Sequence, residues 1–183
     1  MRVSCLLPVA LTLAIAVPAL AQVKEWGEFA DRDDHFTVNF PGDPAKSDLA
    51  YKTAKGTTLP AHVYSASDPR GTYSITVVNY ATAAAEQGTA IAEAAAAERK
   101  KGKPRYDEAG NIDRIKTWRM SVELPDGRIQ MSEIMFHQGR LYISEANVAL
   151  KAPPPAQFQA SLQVLDDDGV RIRYNQDGVT RQR

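Results

Sequence analysis

One stretch of alternating apolar and polar residues and two strand-length segments after it, joined by tight-turn sequences, most constrain the fold of this chain. They run from Lys116 to Leu124, from Arg128 to Phe136 and from Arg140 to Val148. Alternation with a period of two is typical of strands that bury one face. Asp126-Gly127 and Gln138-Gly139 lie between them, and Asp-Gly is a strong signal for a two-residue type I′ hairpin turn. The spacing therefore predicts three antiparallel strands in a meander.

Further strands are predicted upstream of the meander. The segment His35–Phe40 alternates apolar and polar residues, and Thr57–Ser65 and Gly71–Tyr80 are rich in residues that favour strands. Pro41-Gly42 has the residues of a type II turn, and Pro44 prevents simple continuation of the first strand.

Two helices are predicted. The segment Ala90–Lys101 is dense in alanine and charged helix formers, with Thr89 at the N-cap, Gly102 at C′ and Pro104 beyond it. After the proline run that follows the meander, Ala156–Leu165 is predicted as a closing helix with apolar residues facing inward.

The N-terminus has the pattern of a secretory signal peptide. A positive start at Met1-Arg2 precedes an apolar run from Val9 to Leu20, and Ala19-Leu20-Ala21 ends it with the small-x-small pattern of a cleavage site. The run is shorter than the roughly 20 residues of a membrane-spanning helix. We therefore predict export to the periplasm or the medium, with cleavage after Ala21. Cys5, the one cysteine of the chain, leaves with the signal, so the mature protein has no disulfide.

The domain organisation follows from these elements. We predict a signal peptide over 1–21, a lead-in over 22–34, one domain over 35–165 and an exposed, partly disordered polar tail over 166–183. No second long apolar segment occurs, so no transmembrane segment is expected in the mature chain. Strands, a helix, a meander and a second helix, in that order, predict an α+β domain.

The charge balance excludes two classes of main partner. The chain has 22 Lys+Arg and 22 Asp+Glu, and loss of Arg2 with the signal leaves one net negative charge. A near-neutral protein has no long-range attraction to nucleic acid or to an anionic membrane.

The motif Phe36-x-Val38-x-Phe40-Pro41-Gly42-x-Pro44 resembles the opening pattern of PsbP-like (Mog-type) domains. Gly139-Arg140-Leu141-Tyr142 is similar to a strand start in exported bacterial members of that group. The resemblance covers about 36–165 and implies an α/β/α sandwich, with a central antiparallel sheet and helices on both faces. It also implies an accessory or binding protein, but no functional residue can be transferred, and fold analogy is not evidence of function.

Residues that could carry catalysis or bind a metal do not form a recognisable motif. The three histidines lie in different segments, at His35, His62 and His137. The acidic loop Asp31–Asp34 beside His35 lacks the spacing of metal ligands, and Asp166-Asp167-Asp168-Gly169 does not match a calcium loop. Sequence motifs for a serine, cysteine or zinc hydrolase are also missing. We therefore predict no catalytic residue, metal or cofactor.

One basic run stands out. It comprises Arg99, Lys100, Lys101, Lys103 and Arg105. As a functional site it would bind anions such as lipid headgroups. As a structural feature it places cations at a helix C-terminus, where the helix dipole favours them, and this second interpretation also explains Gly102 and Pro104.

The leading hypothesis is an exported, non-enzymatic accessory or binding module that acts on an unknown protein or small-molecule partner in the cell envelope. Two alternatives remain open. One is a periplasmic hydrolase whose residues converge only in space, and the other is a binder of anionic envelope components through the basic run.

The signal peptide gives a first prediction. Because the chain has Ala at both small positions before residue 22, we expect signal peptidase to cut between Ala21 and Gln22. Intact-mass analysis of the exported protein should give the mass of residues 22–183. A mature species that retains Cys5 would contradict this cleavage site.

Overall fold

The computed structural model describes residues 25–153, 155–175 and 178–182, so the predicted signal peptide and its cleavage site lie outside the described residues. In chain order the strands are β1 Trp26–Asp31, β2 Phe36–Pro41, β3 Ala45–Lys52, β4 Thr58–Asp68, β5 Gly71–Asn79, β6 Lys103–Ile112, β7 Ile115–Glu123, β8 Arg128–His137, β9 Arg140–Ala149, β10 Gln163–Val164, β11 Arg171–Asn175 and β12 Gly178–Gln182. The helices are a 3₁₀ helix over Ala84–Thr89, α1 over Ala90–Arg99 and α2 over Ala156–Gln159. None of the helices in this described part is both long and apolar enough to cross a membrane.

A seven-stranded antiparallel sheet forms the centre of the fold. Its order is β3-β4-β5-β9-β8-β7-β6, so β3 to β5 and β6 to β9 are two meanders joined by the pairing of β5 with β9. The predicted meander is confirmed as β7, β8 and β9. The three strands predicted before the helix are confirmed as β2, β4 and β5, although β2 belongs to a different sheet. Two edge strands, β3 and β6, were not predicted because most of their residues are polar and exposed on both faces.

Both faces of this sheet are apolar. Neighbouring residues in a strand point to opposite faces, and Val77 and Val78 of β5 accordingly belong to two different hydrophobic clusters. The alanines of α1 pack into the cluster that contains Val78, because small side chains let the helix approach the strands closely. Ala94 and Ala95 are fully buried there.

The opposite face is covered mainly by strands, which differs from the expected layer of helices on both faces. A three-stranded sheet, β1-β2-β10, lies there together with the single turn of α2, whose Phe158 is buried in the core. The predicted closing helix Ala156–Leu165 is therefore wrong beyond Gln159. Gln163 and Val164 instead pair with the open edge of β2. This pairing satisfies backbone groups of β2 that would stay unpaired if residues 163 and 164 were helical.

The lead-in and the tail also contain strands. Residues of the predicted lead-in form β1, which pairs with β2 along its whole length. The predicted disordered tail forms the β11–β12 hairpin. Ile172 of β11 is buried in the main core, and this contact gives the segment a fixed place.

The turn at Asp126-Gly127 is not of type I′. Gly127 has φ +79°, but Asp126 is not among the residues with positive φ. The Leu124 N–H donates to the Arg128 carbonyl (2.8 Å) and the Gly127 N–H donates to the Leu124 carbonyl (3.0 Å). Pro125 explains the difference, since it has no N–H for a two-residue hairpin and a φ suited to position i+1 of a type I turn. The glycine then takes the left-handed position after the turn.

Two-residue turns with positive φ at both positions occur elsewhere. Gln138-Gly139 joins β8 to β9 with φ of 44° and 76°, and Asp113-Arg114 joins β6 to β7 with φ of 46° and 65°. The first was expected as a turn, whereas the second has no glycine and was not predicted.

Gly102 follows α1 but does not have the left-handed conformation expected of C′, since it is absent from the residues with positive φ. A Cβ at Gly102 would lie 2.1 Å from the Glu123 carbonyl oxygen. The glycine is therefore needed because the chain passes close to the end of β7.

The turn geometry predicts an effect of substitution at Gly127. A Cβ there would meet no atom within 4 Å, so Gly127→Val should lose stability through the positive φ alone, by about 1–2 kcal/mol. Gly27→Val in β1 is the matched control, because that site has equal space and no positive φ. Urea unfolding of both variants measures the difference, and equal stability of the two would refute the assigned turn.

Candidate functional site

The arginines of the basic run are paired with carboxylates. Arg99 contacts Asp107 through two nitrogens, at 2.5 and 2.9 Å, and its guanidinium lies 5.8 Å from the centre of the Trp118 ring. Hydrogen bonds from Arg99 and from the Trp118 indole hold the pKa of Asp107 below its usual value. Arg105 pairs with Glu123 at 2.7 and 3.0 Å.

Lys101 belongs to a largely buried network beneath α1. Its Nζ lies 2.7 Å from Glu98 Oε1 and 2.5 Å from Glu145 Oε1, and Gln130 and Ser132 also donate to Glu98. Burial and the charge of Glu145 raise the pKa of Glu98. Burial alone would lower the pKa of Lys101, but Glu145 and Glu98 outweigh it. Lys101 thus forms ion pairs with two carboxylates of the fold.

Lys100 and Lys103 are the two exposed cations of the run without an ion pair in the described part of the chain. The structure therefore does not join the five basic side chains in one anion site. It pairs Arg99, Lys101 and Arg105 with carboxylates of the fold.

Side chains of the acidic loop Asp31–Asp34 contact His62 and Tyr64. His62 Nδ1 lies 2.6 Å from Asp34 Oδ2, and its Nε2 lies 3.7 Å from Asp48 Oδ1. The Tyr64 hydroxyl lies 2.7 Å from Asp31 Oδ2 and 2.5 Å from Asp34 Oδ2. Burial and these hydrogen bonds raise the pKa of Tyr64 far above its usual value. The cluster ties β4 to the β1–β2 hairpin.

Within the described residues no group of three or more His, Cys, Asp or Glu side chains is arranged to hold a metal ion. At the other acidic segment, Asp166 Oδ1 accepts hydrogen bonds from the N–H groups of Asp168 and Val170. Its carboxylate therefore organises the turn before β11.

A large open groove, which the sequence did not reveal, is the strongest candidate site. Its volume is about 860 Å³, within the range of small-molecule sites. The 3₁₀ helix and α1 form one side, and the β6–β7 hairpin, the end of β8 and the β11–β12 hairpin form the rest. Ile91, Trp118 and Phe136 give it apolar walls that continue into the core beneath α1.

The groove lies where β7 and β8 separate. The two strands are paired inward from Thr117↔Met135. Beyond that pair β7 still extends to Ile115, and β8 continues to His137, which remains paired with Arg140 of β9. Backbone groups along the gap have no strand partner across it. The end of the β7–β8 pairing thus lies beside apolar side chains that line a groove, a setting in which proteins bind small molecules.

Charged side chains of only one sign line the groove. Arg114 and Lys116 contribute two exposed cations, and no lining residue is a carboxylate. Neither cation forms an ion pair within the described ranges, whereas neighbouring Asp113 lies 3.7 Å from Arg173. The groove is therefore electropositive although the protein is nearly neutral.

Two further polar groups lie at the wall. The Thr117 hydroxyl is buried without a hydrogen-bond partner among the described residues, which is costly unless a bound molecule or water satisfies it. His137 Nε2 lies 2.8 Å from the Tyr174 hydroxyl. Burial, and next the charges of His35 and Arg140, lower the pKa of His137.

Sequence reasoning missed this site for identifiable reasons. Trp118 and Phe136 were expected as ordinary strand residues, and Tyr174 was expected in a disordered tail. One available signal was the segment Ile112–Ile115, in which the two polar residues Asp113 and Arg114 between isoleucines could have indicated a turn and hence strand β6.

Among the comparisons with known proteins, the one with solved structures gives a match. No family model matches the chain, and no curated protein matches it. Among solved structures, the solution structure of cyanobacterial PsbP (CyanoP) from Synechocystis sp. PCC 6803 matches with a TM-score of 0.49 and 12% identity, over 82% of this chain and 98% of that one. The chain is similar to a PsbP. This is the kind of protein that the motifs at Phe36–Pro44 resemble, and a likeness of this size assigns neither a role nor a site residue.

The environment of His137 predicts a pH effect. Since its pKa is lowered in the folded state, the unfolded chain binds more protons below about pH 6.5. The free energy of unfolding should therefore decrease as the pH falls below about 6.5. His137→Gln should lose less free energy of unfolding than the parent between about pH 7 and pH 5. Parallel curves from urea unfolding would contradict the assignment, and an NMR titration of His137 gives its pKa directly.

Proposed function

We propose that this protein is an exported accessory or binding module of PsbP-like fold that holds a small molecule in the groove between α1 and the separated strands. The observation that carries the proposal is a groove of about 860 Å³ with apolar walls, which lies where the pairing of β7 with β8 ends. Export rests on the signal-peptide pattern at 1–21.

The construction of the groove favours binding by a preformed site. Its walls come from regular elements, since α1 lies on the sheet and Trp118 and Phe136 are in paired strands. The Trp118 ring is held by the indole hydrogen bond to Asp107 (2.6 Å). A rigid apolar wall costs little entropy when a ligand binds.

The hydrolase alternative has one observation in its favour, the contact between His62 and Asp34. A catalytic triad needs a nucleophile at the second histidine nitrogen. In this structure that nitrogen faces Asp48, and the hydroxyl beside Asp34 belongs to Tyr64. The cluster is therefore better explained as a support for the β1–β2 hairpin, and we favour binding over catalysis.

A blocked groove tests the proposal. Ala109 lines the groove on the exposed strand β6, so Ala109→Trp should fill it, while Ala50→Trp on exposed β3 places the same ring at the opposite edge of the sheet. We expect native mass spectrometry, after incubation with a small-molecule extract of the host envelope, to show an added mass on the parent and on Ala50→Trp but not on Ala109→Trp.

Two results would count against this function. Equal added mass on all three proteins would place the ligand elsewhere, and none on the parent would leave the groove without a ligand in that extract. Conversion of the bound compound to a new product, lost in His62→Asn, would favour the hydrolase.

A further inference from the structure

We infer that the groove selects a small organic anion with an aromatic or otherwise flat apolar body, held against Trp118 and Phe136 with its negative group toward Arg114 and Lys116. This inference rests on the proposed function and adds the chemical class of the ligand. The conclusion depends on the apolar walls, on the distribution of charge and on the position of the two cations.

The apolar walls of the groove determine which kind of uncharged group a ligand presents to them. Trp118 and Phe136 present partly buried aromatic side chains, and Ile91 of α1 faces them across the groove. Aromatic surfaces bind flat apolar groups through large contact areas and favourable ring geometry. Because the Arg99 guanidinium lies against the Trp118 ring and pairs with Asp107, this arginine is already engaged.

The distribution of charge determines the sign of the polar group. Two carboxylates near the groove are already in ion pairs, Asp107 with Arg99 and Asp113 with Arg173. Arg114 and Lys116 have no such partner within the described part of the chain, and both line the groove. An anionic group would give these two cations a charge-assisted partner, whereas a cationic ligand would meet repulsion from both.

The two cations, Arg114 and Lys116, lie at a different end of the groove from the apolar walls. Arg114 lies in the tight turn between β6 and β7, and Lys116 follows where β7 begins, so both stand at the end of the hairpin. Trp118 lies further along β7, where that strand is paired with β8. A ligand that follows β7 therefore places its anionic group at the hairpin end and its apolar body inward.

Two fluorescent probes with the same aromatic body test this inference. 8-Anilinonaphthalene-1-sulfonate carries a sulfonate, and N-phenyl-1-naphthylamine lacks it. The groove variant is Arg114→Gln with Lys116→Gln, and the matched control is Lys100→Gln with Lys103→Gln, which removes the same charge from exposed residues outside the groove lining.

We expect the groove variant to bind the sulfonate about tenfold more weakly and to bind the neutral probe within about twofold of the parent. The control variant should bind both probes as the parent does. In the parent, added sodium chloride should weaken binding of the sulfonate only, and this measurement needs no variant. Ala109→Trp should weaken binding of both probes, because it fills the groove.

The outcomes distinguish an error in the proposed anionic preference from an error in the proposed binding site. If both probes bind the parent and Ala109→Trp weakens them, but the groove variant affects them equally or not at all, the groove binds ligands and the anionic preference is wrong. Equal loss of sulfonate binding in the control variant would also overturn it, since general charge would then explain the effect. If neither probe binds, or Ala109→Trp changes nothing, the groove as a binding site is overturned as well.

Discussion

A sheet that is apolar on both faces must be covered twice, and most of this structure follows from that requirement. Burial of apolar surface is the main favourable contribution to folding, so neither face of the seven-stranded sheet can be left to water. Helix α1 covers one face with alanines. The other face needs more area than the single turn of α2 provides, and β1, β2 and β10 supply it with aromatic side chains such as Phe36 and Phe40.

The same requirement explains the candidate site. Helix α1 has only 10 residues, too few to cover the full width of the sheet. At its N-terminal end β7 and β8 part, so the apolar surface beneath is left as a groove, bordered by the β11–β12 hairpin. The β11–β12 hairpin contacts the end of β8 there, through the Tyr174 hydroxyl and His137. The groove is thus a gap between two covering elements.

The predictable part of the fold was the part in which local pattern and tertiary environment agree. Strand β5, with Ile75 and Val77 facing one cluster and Val78 the other, has a composition that only a buried strand suits, and α1 has the alanines of a closely packed helix. Residues 160–165 were assigned wrongly because strand pairing with β2, a contact across about 125 positions of sequence, decides their conformation. Edge strands β3 and β6 gave no alternation because neither of their faces is consistently buried.

The candidate site could not be predicted for a related reason. Its walls come from five segments between Gln87 and Gly178 that only the tertiary fold brings together. The basic run, by contrast, was conspicuous in sequence because its residues are contiguous, but Asp107, Glu123 and Glu145 reach its cations from other strands. The contiguous charges therefore predicted the end of a helix. The electropositive groove depends instead on Arg114 and Lys116, which are not part of a basic run.

The order of strands in the large sheet has a consequence for how the chain assembles. Every neighbouring pair is also adjacent in sequence except β5 with β9, where Gly71 pairs with Val148. Hairpins close short loops at a small loss of chain entropy, and the cost rises with the length of the enclosed segment. Most of the loop-closure entropy of this sheet therefore falls at a single seam, which can form only after each meander has its shape. Contacts along that seam are the ones that set a slow folding step in proteins with distant strand pairing.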